Sequence, residues 1–332
     1  LQCIARAGAG VNNIPLDRAA EAGIVVFNTP GANANGVKEL AVAALLLASR
    51  KVAQGITWVK EQAAAGADIA AVVEKGKSAF VGPEIMGKTL GVIGLGAIGV
   101  LVANAANHLG MTVYGYDPYL SLNSAWSLTH NAIHAMSLKE IYEKCDYISV
   151  HVPLTPDTKG FINDESIALM KDGVRVLNFA RGELVNSDAM KAALESGKVA
   201  AYVTDFPTDD LLCVDGVIAI PHLGASSEES EDNCAVMAAL QLDDFLRNGN
   251  IKNSVNFPNV AMPRSAETRI CVLHKAGDDM LAAITACVSG VAAVASKAKG
   301  ENAYTILDVN GDATDAVAAL NAKDGIYRAY AI

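Results

Sequence analysis

The feature that most constrains this chain is a glycine-rich segment that follows an apolar strand pattern. The segment TLGVIGLGAIG, residues 89–99, places Gly94, Gly96 and Gly99 in the spacing G-x-G-x-x-G. The apolar run before these glycines and the helical pattern after them predict a strand, a tight turn and a helix. Gly94 permits the turn, Gly96 lets the backbone approach a pyrophosphate, and Gly99 lets the helix pack closely on the strand.

The neighbouring residues extend this interpretation to a dinucleotide cofactor. The helix N-terminus at Ala97 and Ile98 favours a negatively charged group. Asp117 ends the next strand, in the sequence VYGYDP. A carboxylate there accepts hydrogen bonds from the adenosine ribose and repels a 2′-phosphate, so the motif predicts NAD rather than NADP. The alternatives are a merely tight strand-to-helix turn and, for Asp117, a cap or turn before Pro118.

Apolar strands alternate with helical stretches through the middle of the chain. The predicted strands are residues 89–93, 112–116, 147–151, 174–178, 200–205 and 217–221. Hydrophobic residues make up 52% of the chain and aromatic residues only 5%, so the core is built mainly from aliphatic side chains. This composition is typical of helices that cover a parallel sheet. We therefore predict an α/β fold with a Rossmann-type, doubly wound parallel sheet.

Three of these strand ends carry candidate catalytic side chains. Arg181 follows one strand and is suited to bidentate capture of a carboxylate. Asp205 follows the next, with Asp209 and Asp210 close behind it. His222 follows a third, where an imidazole can take a hydroxyl proton. Taken singly, each has a structural explanation, such as a surface ion pair or a core histidine; their common position at the carboxyl edge of one sheet favours a site.

The charge and the cysteine content of the chain indicate which binding partners and which cellular compartment to expect. The net charge of −10 and the pI near 5.1 argue against nucleic acid as the main partner. Six scattered cysteines without metal-ligand spacing predict reduced thiols, a cytoplasmic location and no metal site. No transmembrane segment or signal peptide is visible, and we expect neither. The chain begins at Leu1 inside a strand pattern, which predicts a missing N-terminal segment.

These motifs resemble the D-2-hydroxyacid dehydrogenase family. The segments RAGAGVNNI, GLGAIG, HVPLTPDTKG, NFARGELV and PHLGAS occur in the family's order and span nearly the whole chain. The resemblance implies an NAD-dependent enzyme that acts on a small D-2-hydroxy acid, with 3-phospho-D-glycerate as the best single candidate and the first step of L-serine biosynthesis as its role. It also implies a homodimer or homotetramer.

The resemblance assigns roles to individual residues. Arg181 would bind the substrate carboxylate, and His222 would be the general base of oxidation. An acid, usually Glu in the family, would pair with His222; here counting from Arg181 points to Asp210, while Asp209 is one residue away. The remaining implied residues are Arg6, Gly8, Ala9 and Gly10 for the substrate, and His151, Val152, Pro153, Thr158, Asp205 and Gly224 for the cofactor. Loop polarity explains His151 nearly as well.

The predicted domains follow from the same motifs. Residues 1–36 and 227–261 would form a flavodoxin-like substrate lobe, incomplete at its N-terminus, and residues 37–226 the dinucleotide-binding domain. After a linker at 262–267, residues 268–332 read as a βαββαβ unit that resembles an ACT domain, a regulatory module that binds amino-acid effectors. The Asn and the Pro-Gly turn expected after its first strand are absent, which argues against serine as the effector.

Three alternative functions stay open at this point. The first is a dehydrogenase of the same family that uses glycerate, lactate or 2-hydroxyglutarate. The second is a non-catalytic, NAD-sensing binding protein, because one fold serves several functions. The third is a chain that acts chiefly as an amino-acid sensor through its C-terminal unit.

Overall fold

The computed structural model describes all 332 residues of the chain. Contacts between Cα atoms divide it into two compact units. The first unit comprises Leu1–Asn33 and Glu228–Ile332, and the second comprises Ala34–Ser227. The three domains expected from the sequence stay a prediction, because these contacts place the C-terminal segment in one unit with the first residues of the chain.

The first unit begins with a short parallel strand pair. Strand β1 (Cys3–Ala5) lies beside β2 (Val25–Phe27), and helix α1 (Leu16–Glu21) connects them. Helix α1 begins directly after Pro15, where a missing N–H costs no helical hydrogen bond.

The second unit starts with three consecutive helices, α2 (Ala34–Ser49), α3 (Val52–Ala64) and α4 (Ile69–Gly76). Helix α2 buries an apolar face, whereas α3 and α4 bury no residue. No single helix of the chain meets the length and apolarity needed to span a membrane. Helices α2 and α3, which bend by 66° at their junction, meet that test of length and composition only as a pair.

A seven-stranded, all-parallel sheet forms the centre of the second unit. Its strands are β3 (Thr89–Ile93), β4 (Thr112–Tyr116), β5 (Ile133–His134), β6 (Tyr147–Val150), β7 (Val174–Asn178), β8 (Val199–Thr204) and β9 (Val217–Ala219). Their spatial order is β5-β4-β3-β6-β7-β8-β9, so the chain reverses direction across the sheet between β3 and β6. This order confirms the predicted doubly wound fold, a fold in which ligands generally bind outside the carboxyl ends of the strands.

Helices cover both faces of this sheet. They are α5 (Ala97–His108), α6 (Leu122–Ser127), α7 (Leu138–Lys144), α8 (Asp164–Leu169) and α9 (Ser187–Glu195). One buried apolar cluster joins α2 and α5 to the sheet, and a second joins α7, α8 and α9 to it. Neighbouring strand residues such as Tyr147 and Ile148 point into different clusters, which explains why the strands are apolar throughout.

The rest of the first unit is a long helix and an antiparallel sheet. After α10 (Glu228–Asn248), the elements are β10 (Thr268–Lys275), α11 (Met280–Thr285), β11 (Val291–Lys299), β12 (Asn302–Val309), α12 (Thr314–Asn321) and β13 (Ile326–Ala331). The four strands lie in the order β11-β12-β10-β13. The predicted βαββαβ order is therefore present, while its identity as an ACT domain stays a resemblance.

Candidate active site

The carboxyl edge of the parallel sheet brings the predicted site residues of the second unit onto one side. Because β3, β6, β7, β8 and β9 run in one direction, the residues that follow them lie along the same edge. These residues are Gly94 after β3, His151 after β6, Arg181 after β7, Asp205 after β8 and His222 after β9.

Each glycine of the fingerprint meets a different steric demand. Gly94 has a φ of +91°, and a β-carbon there would lie 2.6 Å from the His151 carbonyl oxygen. A β-carbon at Gly99 would lie 1.9 Å from the Gly94 carbonyl oxygen, so helix α5 packs against this turn. Gly96 has open space beside it and directly precedes Ala97, the first residue of α5. The loop therefore offers exposed backbone at a helix N-terminus, where a phosphate group fits.

Asp117 connects the fingerprint loop to the loop after β4. One carboxylate oxygen, Oδ2, accepts a hydrogen bond from the Leu95 amide at 2.8 Å, and Oδ1 accepts one from the Tyr119 amide at 2.8 Å. Each oxygen has a second lone pair for a ribose hydroxyl. The turn role and the predicted cofactor role of Asp117 are thus compatible.

The loop after β6 contains a partly buried histidine, His151, in which only one ring nitrogen has a hydrogen-bond partner. His151 Nε2 lies 2.8 Å from Ser149 Oγ, whereas Nδ1 is buried without a partner. Burial lowers the pKa of His151 to about 4, so its imidazole is neutral at neutral pH. Further along, the Thr158 hydroxyl donates to the Pro153 carbonyl at 2.7 Å and fixes the loop.

Arg181 is exposed, and a buried asparagine holds its backbone. Asn178 Nδ2 donates to the Arg181 carbonyl at 2.8 Å, and Asn178 Oδ1 accepts from the Ala180 amide at 3.1 Å. Asn178 Nδ2 also lies 3.3 Å from the Tyr202 hydroxyl. Neither Asn178 nor Tyr202 was predicted to be a site residue; the signal in the sequence for Asn178 is a polar residue at the end of an apolar strand.

Asp205 is a buried acid with one free oxygen. It is 1% exposed; its Oδ2 accepts from the Gly224 amide at 3.0 Å, and its Oδ1 has no partner. Burial raises the pKa of Asp205, although the Gly224 amide and the positive charges of His222 and Arg181 oppose this rise. The carboxylate therefore lies within the electrostatic field of both candidate catalytic side chains.

The predicted partner of His222 is engaged elsewhere. Asp210 Oδ2 lies 2.8 Å from the Lys191 ammonium of α9, so the His222–Asp210 pair expected from the sequence is not formed in this structure. The hydrogen bond from Lys191 holds the pKa of Asp210 below its ordinary value. Asp209 is exposed and makes no ion pair. The imidazole of His222 instead packs against the Phe206 ring, with 4.8 Å between ring centroids.

The remaining predicted residues form a loop in the first unit. Gly8 has a φ of +141°, and a β-carbon there would lie 2.6 Å from Arg6 Nη1, so the guanidinium lies over the glycine loop. The Gly8 amide donates to Thr29 Oγ1 at 2.7 Å, and Asn28 Nδ2 donates to the Ala9 carbonyl at 2.7 Å. Asn28 and Thr29, which were not among the predicted site residues, hold this loop in place.

Comparison with known proteins agrees with this geometry. Residues 42–224 match the family model of the D-isomer specific 2-hydroxyacid dehydrogenase NAD-binding domain. The chain is 39% identical over 266 residues to D-3-phosphoglycerate dehydrogenase of Methanocaldococcus jannaschii, covering 78% of this chain and 48% of that protein. It is 41% identical over 240 residues to hydroxypyruvate reductase of Thermotoga maritima, covering 70% and 73%.

A solved structure of NAD⁺-bound 3-phosphoglycerate dehydrogenase from Entamoeba histolytica superposes with a TM-score of 0.61 at 31% identity, covering 77% of this chain and 76% of that one. The chain spans about half the length of the curated D-3-phosphoglycerate dehydrogenases that it matches. The fingerprint geometry, the strand order and these similarities together show that the chain belongs to the D-isomer-specific 2-hydroxyacid dehydrogenase family, with its NAD-binding domain at residues 42–224.

Proposed function

We propose that this protein catalyses the NAD-dependent oxidation of a D-2-hydroxy acid and the reverse reduction. The observation that carries the proposal is the position of Arg181, Asp205 and His222 after consecutive strands of the sheet that begins with the glycine fingerprint. The Arg181 guanidinium and a protonated His222 would both lower the pKa of the Asp205 carboxyl, so the three groups are close enough to interact electrostatically.

The residues present suit NAD. The open space beside Gly96 admits the pyrophosphate, and the Asp117 oxygens have lone pairs for the ribose. Asp205 Oδ1, buried without a partner, is available to a polar group of the ligand. When bound, the nicotinamide supplies the hydride acceptor.

The chain's own side chains would bind the acid and move its proton. The Arg181 guanidinium is exposed and suited to two parallel hydrogen bonds with the substrate carboxylate. His222, also exposed, would take the proton of the C2 hydroxyl at a ring nitrogen as the C2 carbonyl forms. The nearby Asp205 carboxylate would stabilise the imidazolium that results.

For the substrate we propose 3-phospho-D-glycerate, which would make this the first step of L-serine biosynthesis. Support comes from relatives named D-3-phosphoglycerate dehydrogenase in archaea, bacteria and mammals, and from the Arg6 guanidinium as a phosphate-binding group. The resemblance of the C-terminal unit to an ACT domain agrees with an amino-acid effector. A homo-oligomer and a cytoplasmic location complete the proposal.

Hydroxypyruvate and its reduced form, glycerate, are the second candidate pair. The supporting observation is the Thermotoga maritima hydroxypyruvate reductase, of which the chain covers 73%, whereas it covers about half of the phosphoglycerate dehydrogenases.

The test is NADH formation by the full-length natural protein. Absorbance would be followed with 3-phosphoglycerate, glycerate, lactate and 2-hydroxyglutarate, beside a His222→Ala variant. We expect turnover selective for the phosphorylated acid and lost in the variant. Turnover of an unphosphorylated acid would keep the mechanism and replace the substrate, and NAD binding without any turnover would favour a cofactor sensor.

A further inference from the structure

Phe206 contacts the His222 ring and the turn that carries Arg181. It follows Asp205, and its ring lies 4.8 Å from the His222 ring between centroids, at an interplanar angle of 44°. A β-carbon at Gly182 would lie 3.3 Å from Phe206 Cβ, so Phe206 also packs against the turn that carries Arg181. One side chain therefore contacts both loops on which the proposed chemistry depends.

An aromatic neighbour is well suited to orient an imidazole. The centroid distance lies within the range of favourable aromatic pairs, and the tilted arrangement avoids a face-to-face sandwich. A cation within about 6 Å of a ring face is attracted by the ring. The Phe206 ring would thus restrict rotation of the His222 imidazole and stabilise it after it has taken a proton.

The loop that carries Phe206 is anchored on both sides. Before Phe206, Asp205 Oδ2 accepts from the Gly224 amide at 3.0 Å. After it, Asp210 pairs with Lys191 at 2.8 Å. The amide of Phe206 itself donates to Thr204 Oγ1 at 3.1 Å. Because Asp210 pairs with Lys191, the ring contact with Phe206 is the direct side-chain contact observed for the His222 imidazole.

We propose that Phe206 is a positioning residue, which sets the orientation of the His222 imidazole and of the Arg181 turn. This inference rests on the proposed dehydrogenase function for its kinetic consequences, but the aromatic contact is testable without any turnover. Two readouts on the full chain therefore separate failure of the contact from failure of the proposed reaction.

The first readout is the NMR spectrum of the histidine side chains. The chain has six histidines, so selective ¹³C labelling gives few signals, and loss of one signal in His222→Gln assigns it. We expect Phe206→Leu to remove the ring-current shift of the His222 protons and Phe206→Tyr to keep it. Phe80→Leu is the matched control, because Phe80 makes a similar tilted contact with Trp58 at 5.3 Å. An unchanged His222 signal in Phe206→Leu would overturn the proposal.

The second readout is the division of the kinetic effect between kcat and KM. Misplacement of a catalytic group by about 1 Å can cost on the order of 100-fold in rate, so we expect Phe206→Leu to lower kcat by about 10- to 100-fold. The KM for NAD should stay within about twofold of the wild-type value, and the Phe206→Tyr variant should keep a kcat close to that of the wild type. Loss of activity shared equally by the Tyr variant, or by Phe80→Leu, would show a general structural effect and contradict positioning.

Discussion

Two regions of the molecule each contain an aspartate and a histidine with buried polar atoms. They differ in whether those atoms have hydrogen-bond partners. At the carboxyl edge of the parallel sheet, Asp205 and His151 each bury one polar atom without a partner. In the antiparallel sheet, both Asp308 oxygens bond to Arg269, at 2.6 Å and 3.0 Å. His274, also buried there, donates from Nδ1 to the Lys275 carbonyl at 2.8 Å, and its Nε2 lies 2.9 Å from Thr305 Oγ1.

The two aspartates respond to these surroundings in opposite directions. Burial raises the pKa of Asp205, and its hydrogen bond and nearby charges do not offset the rise. Burial also acts to raise the pKa of Asp308, but the bonds from Arg269 and Ser265 outweigh it and lower the pKa. An unpaired buried polar atom costs stability unless something else bonds to it, so the free atoms of Asp205 and His151 agree with the site proposed at this sheet edge. The antiparallel sheet also contains a buried polar atom without a partner, the Tyr330 hydroxyl in β13. The difference between the two sheets in hydrogen bonding therefore applies to these aspartates and histidines and not to every buried polar group.

The largest expected effect comes from breaking the buried ion pair. Arg269→Met leaves the Asp308 carboxylate buried without its counter-ion, because both side chains are 0% exposed and only the hydrogen bonds from Ser265 remain. We expect a loss of about 3–5 kcal/mol in the free energy of unfolding, measured by urea denaturation.

The matched control is Arg247→Met, which removes an exposed ion pair with Asp243 and should cost only about 0.3–0.5 kcal/mol. Replacing both partners, as Arg269→Met with Asp308→Leu, should recover most of the loss. Similar costs for Arg269→Met and Arg247→Met would show that the antiparallel sheet does not depend on its buried pair.

Substitution of the two histidines, His274 and His151, should have smaller effects on stability that differ between the two sheets. His274→Leu removes two hydrogen bonds and should cost about 1–3 kcal/mol. His151→Leu removes one bond and also an unpartnered buried nitrogen, so the two changes offset and the cost should be about 1 kcal/mol or less. Thermal unfolding of both variants checks the order, and an equal or larger loss for His151→Leu would contradict it.

The smallest expected effect is the pH dependence of stability at Asp205. Because folding raises the pKa of Asp205 above the ordinary 3.8, this group disfavours the folded state increasingly as the pH rises above that value. Asp205→Asn should therefore match the wild type at low pH and become relatively more stable toward neutral pH.

Asp308 has the opposite sign: its stabilisation is present above pH 3.8 and is lost as the pH falls through its lowered pKa. Urea unfolding across the acid range measures both trends, with exposed Asp209→Asn as the control. A relative stability of Asp205→Asn that falls with rising pH would show that Asp205 is structurally paired after all.

Much of the fold was predictable because its signals are local. The predicted strand 89–93 agrees with β3, and the predicted 217–221 differs from β9 (Val217–Ala219) by two residues. The two-residue strand β5 (Ile133–His134) escaped prediction, since so short an element has no measurable periodicity. The Lys191–Asp210 ion pair was not predicted either, because the two residues meet across a loop whose path no local pattern specifies.

The sequence by itself determined the alternation of strands and helices, the glycine turn at Gly94 to Gly99 and the placement of Arg181, Asp205 and His222 at strand ends. These features depend on side-chain period and turn chemistry within a few residues. Only the tertiary structure decided that Lys191 takes Asp210, that Phe206 contacts His222 and that Asp205 has one free oxygen. Such partners depend on how loops cross the sheet edge and on which groups are buried together, and both are consequences of packing.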